Sequence, residues 1–309
     1  MKYKFSGHET FAFRFAWLPK AYNAISEDPF AFSDEDQAII TLGVGKNMVR
    51  SIRFWALLSG VIEPDDKGGC CVSQFGRDVF CQEDGFDPYL ENEQTLWLLH
   101  WQISTAEEPL FAWDFLLNRW QETELLMSVL LPNLQKSAEK EQKISKNSLG
   151  SLLKVFFHTY VPTRGQKSGV LEENLDCPLV QLRLVEQIGV RENLEGRNEA
   201  IYAFRRSEKP EICDELFFYA LACFWMRYMS NEETISIREV SCSPGSPGQI
   251  FKLTDEDIRG RLSSLPTENR SSVFSYFETQ TTQLIKREKE LSSGFLSDLL
   301  KQIYQHEKK

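Results

Sequence analysis

Two clusters of side chains near the start of the chain could do chemistry. Phe5-Ser6-Gly7-His8-Glu9-Thr10-Phe11 sets an imidazole beside a carboxylate, flanked by hydroxyls. Such a pair can move protons or help to hold a metal, which makes His8 and Glu9 the candidate catalytic residues. The structural alternative has Ser6 or Thr10 capping a first helix, with His8 paired to Glu9 or to a backbone carbonyl. The second cluster is Lys46, Arg50 and Arg53. At about 100° per helical residue these cations fall within roughly 60° of one another, and Met48, Ile52 and Trp55 lie about 160° or more away. No acid occurs between Gln37 and Ile62, although the chain carries 45 Asp and Glu against 35 Lys and Arg. A cationic helix face opposite an apolar one suits phosphate oxygens and base edges. The alternative is a solvated face on a protein-interaction domain.

The elements that must position these cations read as a winged helix-turn-helix. Ser33-Asp34-Glu35-Asp36 starts a helix, with Ser33 as cap and three acids at the positive end of the dipole. Ala38, Ile39, Ile40 and Leu42 form its buried side, and Gly43 supplies a left-handed stop. After the Val44-Gly45 turn a second helix begins near Lys46 or Asn47. Gly60 to Glu63 leads into a strand, Asp65-Asp66-Lys67-Gly68-Gly69 forms a turn, Cys70 to Ser73 returns, and Gln74 to Phe80 resumes helix. In a winged helix the second helix enters the major groove. The candidate DNA contacts are therefore Lys46, Asn47, Arg50 and Arg53, with Lys67 of the wing and Arg77 of the following helix.

A third candidate site lies late in the chain. Ser241-Cys242-Ser243-Pro244-Gly245-Ser246-Pro247-Gly248-Gln249 is a compact Gly/Pro/Ser loop, and its amides and hydroxyls could cradle a phosphate. The residues concerned are Ser243, Gly245, Ser246, Gly248 and Lys252. No G-x-x-x-x-G-K-[ST] string occurs, and a tight structural turn is the alternative. A strand-like segment at 250–253 and a helix opened by Thr254 and Asp255-Glu256-Asp257 follow. Helix, loop, strand and helix there could form a second winged-helix-like unit without a basic stripe.

The rest of the chain reads as mainly α with short β-hairpins. Three segments are expected: 1–86 as the winged helix-turn-helix domain, 87–150 as a helical middle region, and 151–309 as a helical C-terminal domain with small hairpins. Trp97, Trp101, Trp113, Leu116, Leu117 and Trp120 recur at helical spacing and read as packed core. Residues 135–147 are polar, a linker or an exposed helix. A loop is expected at 162–169, a hairpin at 188–204 turning at Gly196, an apolar helix at 214–229, and a charged helix from about Ser271.

Composition removes several classes. At 309 residues with 42% hydrophobic side chains, the chain can build more than one core. The net charge of -10 argues against a wholly nucleic-acid-coated protein and leaves room for a local basic face. Residues 1–20 lack the apolar core of a signal peptide, and no run approaches the roughly 18 apolar residues of a membrane span. Seven cysteines without framework spacing fit a reducing cytoplasm. With no C-x-x-C there is no zinc-ribbon pattern. Nor is there an H-N-H string, and the nearest acid-x-Lys string, Glu141-Gln142-Lys143, lies in the polar segment.

Three motifs together carry a family resemblance. They are Phe5 to Phe11; Leu42-Gly43-Val44-Gly45-Lys46-Asn47-Met48-Val49 with Ser51-Ile52-Arg53-Phe54-Trp55; and Ser243-Pro244-Gly245-Ser246-Pro247-Gly248 with Phe251-Lys252-Leu253. In this order, over nearly the whole chain, they resemble a bacterial family of unknown-function domains, the SspB-like DNA-nicking subunits. Genes of that family sit beside a cysteine desulfurase and a sulfurtransferase resembling PAPS reductases, in DNA phosphorothioation and phage-defence operons. The resemblance implies a protein that binds double-stranded DNA and nicks one strand, so that sulfur can replace a non-bridging phosphate oxygen. Nicking of that kind would draw on Mg2+ or Mn2+, and the desulfurase and sulfurtransferase would be partners. A dimer is compatible with these readings. Two other classes fit the same residues: a winged-helix transcriptional regulator of the operon without catalytic activity, and a scaffold that docks a sulfurtransferase through its acidic, aromatic-rich body.

Overall fold

The computed structural model describes residues 2–162, 177–192, 196–265, 273–279 and 282–305. They form helices with small antiparallel sheets of two or three strands, in keeping with the mainly α expectation. Most of the loop expected at 162–169 lies outside the described residues. Contacts divide the chain into two compact units, residues 1–116 with 120–204, and residues 117–119 with 205–309. The first unit thus takes in the segments 1–86 and nearly all of 87–150, together with the start of 151–309. No helix among the described residues is long and apolar enough to cross a membrane.

The first unit opens with α1 (Trp17–Glu27), α2 (Glu35–Leu42) and α3 (Lys46–Leu58). Asp34, not Ser33, caps α2: the helix begins at Glu35, so the extended residue before it is Asp34, whose carboxylate accepts from the amides of Asp36 and Gln37. Gly43 ends α2 at φ 66°, where a side chain would be strained. β1 (Ile62–Pro64) pairs antiparallel with β2 (Cys70–Val72), and Ser73 caps α4 (Gln74–Phe80) by accepting from Gly76 N. A Cβ on Gly76 would stand 2.1 Å from the Val61 carbonyl oxygen, so only glycine lets α4 lie this close to the strand.

The core of this unit is aromatic. α5 (Glu93–Ser104), α6 (Phe111–Asp114), α7 (Met127–Ala138) and α8 (Lys146–Tyr160) surround it, with the hairpin of β3 (Val185–Glu192) and β4 (Asn198–Phe204) beside them. Trp97, Trp101, Trp113 and Leu116 are buried as their spacing indicates, and Trp120 is half-buried beyond the helical turns. The polar stretch at 135–147 is the end of α7, a short connection and the start of α8. Tyr160 is the polar knot of this core. Its hydroxyl accepts from Trp113 Nε1 at 3.0 Å and shares a 2.8 Å hydrogen bond with His100 Nδ1.

In the second unit α9 (Asp214–Tyr228) is buried on most sides and packs against α13 (Ser293–Gln305). Between them run β5 (Thr234–Ser236), α10 (Ile237–Cys242), α11 (Pro247–Phe251), α12 (Asp255–Ser263), β6 (Phe274–Glu278) and β7 (Gln283–Arg287), with the sheet in the order β5-β7-β6. Two expectations are corrected here. The strand expected at 250–253 is the end of α11 and its left-handed cap, Lys252 at φ 55°. A short apolar run cannot separate strand from buried helix, and the Ser246 cap with Pro247 at the first helical position selects helix. The charged helix expected from about Ser271 begins only at Ser293, as α13, and the described residues before it form the β6–β7 hairpin. Phe274, Ser275 and Tyr276 are all buried, and Ile285 is the cross-strand partner of Tyr276; burial on both faces removes the alternation that would mark a strand in the sequence.

Replacing Tyr160 with Phe leaves the buried Trp113 N–H without its acceptor. The expected cost is about 1–3 kcal/mol of folding stability, read as a lower urea midpoint with an unchanged slope.

Candidate nucleic-acid interface

Burial fixes the orientation of α3. Val49, Ile52, Trp55 and Ala56 are buried, whereas Lys46, Asn47, Arg50 and Arg53 are exposed. Met48, expected in the core stripe, is only half-buried, and Val49 takes its place: the buried arc is turned by one residue from the one drawn on Met48. Lys67 lies exposed in the turn between β1 and β2, where Gly68 at φ 87° closes a bond from its amide to Asp65 O. Arg77 is exposed on α4. Four of the candidate contacts thus share one helix face, and two lie on the neighbouring hairpin and helix.

The N-terminal motif is built against the same helix. Gly7 has φ 113°, and a Cβ there would sit 2.4 Å from the Phe54 ring. Ser51 Oγ donates to the His8 carbonyl at 3.0 Å, and Trp55 Nε1 donates to the Phe11 carbonyl at 2.9 Å. Ser51, Phe54 and Trp55 stand three and four residues apart on one side of α3, so the motif strap and the helix are one rigid assembly. Glu9 (φ 47°) and Thr10 (φ 66°) take the left-handed conformation that L residues avoid. The capping roles considered for Ser6 and Thr10 do not occur: α1 begins at Trp17 with Ala16 as an N-cap that makes no side-chain bond.

His8 is buried, and its Nδ1 accepts from Thr10 N at 3.1 Å. Its pairing is therefore with a backbone amide, not with Glu9 or a carbonyl. Nε2 is buried without a partner among the described residues. Burial disfavours the imidazolium and lowers the pKa from 6.5 to about 4. Glu9 is half-exposed and close enough to Arg50 to favour its charged form, an influence smaller than that of Glu35.

Glu35, at the start of α2, is the residue that sequence reasoning treats only as a helix-dipole partner. Its Oε1 accepts from Arg50 Nε at 2.6 Å, and its Oε2 accepts from Arg50 Nη2 at 3.2 Å and pairs with Lys46 Nζ at 2.7 Å. Hydrogen bonds from Arg50 and Lys46 hold this carboxyl down at about 2. Arg53, by contrast, has no ion-pair partner among the described residues.

The late Gly/Pro/Ser loop faces inward. Ser246 and Lys252 are fully buried. Ser246 caps α11, and Lys252 Nζ donates to Leu117 O at 2.6 Å and to Gln249 Oε1 at 3.3 Å. Gly245 N donates to Asn118 Oδ1 at 2.9 Å. A Cβ on Gly248 would stand 2.5 Å from the Ser241 carbonyl oxygen, so this glycine serves close packing. Ser243 is half-exposed. Gly245 and Lys252, two of the phosphate-cradle candidates, thus spend donors within their own unit. Among the described residues no three His, Cys, Asp or Glu side chains converge on a possible metal position.

These features define a class: a mainly α protein of two helical units with small antiparallel sheets, whose first unit exposes a cationic helix face. The chain belongs to the family described as Protein of unknown function (DUF4007), which matches residues 5–304. A crystal structure of magnesium-ion-bound SspB is similar to it at TM-score 0.79 and 25% identity, over 97% of this chain and 87% of that one. A second SspB crystal structure is similar at TM-score 0.78, with the same identity and coverage. No curated protein matches the chain.

The burial of His8 makes stability depend on pH with a definite sign. The unfolded imidazole takes its proton near 6.5 and the folded one only near 4, so folding is penalised as pH falls through that window. Stability should drop by up to about 1.4 kcal/mol per pH unit there. Urea titrations at pH 7 and pH 5 should show this component in the parent and not in His8→Phe.

Proposed function

We propose that this protein is a DNA-binding subunit of a bacterial DNA phosphorothioate modification and anti-phage defence system, gripping duplex DNA with α3 of a winged helix-turn-helix. The observation that carries the reading is the two-sidedness of α3. Its buried face is clamped by the N-terminal strap, and its exposed face presents Lys46, Asn47, Arg50 and Arg53. The succession α2, turn, α3, hairpin is the order in which a winged helix offers its second helix to the major groove. Lys67 on the wing and Arg77 on α4 supply further phosphate contacts. The likeness to SspB supports the system assigned, with the desulfurase and sulfurtransferase of that system as partners.

Strand nicking belongs to the same reading, with His8 and Glu9 as its candidate residues and Mg2+ or Mn2+ as its metal. The described residues do not form a three-ligand cage for such an ion, so nicking rests on the SspB likeness. The enclosure of His8 favours a second reading, a winged-helix regulator that binds DNA without cutting it.

The second unit fits a winged-helix-like module of another kind. The order α9, β5, α10, α11, α12, β6, β7 and the sheet order β5-β7-β6 support that likeness. The helix in the recognition position, α12, opens with Asp255, Glu256 and Asp257, which suits a protein partner better than a phosphate backbone.

Lys46→Glu with Arg50→Glu should abolish duplex binding, and the parent's affinity should fall steeply as salt rises. Binding unchanged in the double variant would sink the α3 reading. For catalysis the measurement is conversion of supercoiled plasmid to open circles with Mg2+ or Mn2+. Nicking lost in His8→Ala and in Glu9→Ala supports the catalytic assignment, and a parent that binds without nicking supports the regulator.

A further inference from the structure

We infer that Glu35 is a positioning residue that turns Arg50 into a reader of guanine, leaving the grip on phosphate to Arg53. This rests on the reading of α3 as the DNA-contacting helix and names what that helix recognises.

A guanidinium has five N–H donors in a planar fork. Glu35 occupies one edge of the fork, taking Nε–H at 2.6 Å and one Nη2–H at 3.2 Å. The donors left over are the second Nη2–H and the two on Nη1. Of these, one on each nitrogen points along the end of the side chain, parallel and side by side. That pair matches the O6 and N7 acceptors that guanine shows in the major groove. The plane of the fork is set by a carboxylate on another helix, so the end-on pair is aimed before DNA arrives. Less rotamer freedom then remains to be lost on binding.

The same carboxylate changes what the first turn of α3 offers to a phosphate. Glu35 Oε2 also pairs with Lys46 Nζ at 2.7 Å. Two cations thus share one anion, and a bare phosphate finds less net charge there than the sequence implies. Arg53, one turn further on, has no such partner among the described residues and is exposed. A charge without a fixed orientation is suited to the backbone, which carries no sequence information. The exposed face is divided between one aimed fork and one free cation.

The test is selection from a random-sequence duplex pool by the full chain, with affinities of the selected duplexes measured at several salt concentrations. The parent should enrich guanine at a fixed position and disfavour other bases there by roughly tenfold. Glu35→Gln should lose that preference, and its plot of log affinity against log salt should steepen by about one unit as a released cation finds a phosphate. Arg50→Ala, which removes the fork, should lose the same guanine with Glu35 intact. Arg53→Ala should weaken binding to all sequences alike. A guanine preference that survives Glu35→Gln or Arg50→Ala, or a parent with no guanine preference, overturns the positioning role and leaves DNA contact by α3 standing. A uniform gain in affinity for all sequences in Glu35→Gln, with the guanine preference retained, also overturns it, because the carboxylate then only masks charge. A parent that binds no duplex at all removes the α3 reading itself.

Discussion

The rotation of α3 about its own axis is the constraint on which the candidate interface depends, and Trp55 holds it. Its indole lies 5.6 Å from the Phe13 ring and 6.0 Å from Trp113, and its N–H is bonded to the Phe11 carbonyl. An indole buried on all sides and fixed by one directional bond cannot be turned without exposing apolar surface and orphaning a donor. Trp113 continues the contact to Phe156 at 5.0 Å. The helix that carries the cations is thereby keyed into the aromatic core of its own unit.

Charge placement on the opposite face is finer than a basic stripe. Glu35 draws Lys46 and Arg50 together and leaves Arg53 alone. Exposed ion pairs contribute little to stability, so the consequence of this one lies in geometry: a flexible guanidinium is given a direction. Side chains that seek bases must be oriented and those that seek phosphates need not be. On the proposed reading of α3, Glu35 sorts its cations along that line.

The motif at 5–11 shows how residue types with chemical potential can be used for position. His8 reads as an acid–base group because an imidazole beside a carboxylate is a familiar pairing. In the folded chain its carbonyl receives Ser51 and its ring lies against Phe54, six ångströms between centroids. The left-handed Glu9 and Thr10 bend the strap so that the Phe11 carbonyl reaches Trp55. Nε2 is left buried and, among the described residues, unpartnered, a feature of the motif that packing does not explain. In the second unit Lys252 makes the same point: a cation in a loop of glycines and hydroxyls is spent on the Leu117 carbonyl.

Much of the first unit was legible in the sequence because its signals are local. A dipole-complementing helix start, a left-handed glycine at 43, a four-and-three spacing of cations and a glycine turn at 68 each act within a few residues. They placed α2, α3, β1, β2 and α4. The β6–β7 hairpin and the helical end at 250–251 were misread for the converse reason, since short segments take their period from the partner that buries them. The pairing of Glu35 with Lys46 and Arg50, the clamp of the strap on Ser51 and Trp55, and the inward turn of Lys252 were decided by tertiary structure alone. Each joins residues well beyond one helical turn apart, Glu35 and Lys46 being the closest of them in sequence and Glu35 and Arg50 the next. Residue type says what a side chain can bond; only the folded chain settles which partner comes within reach.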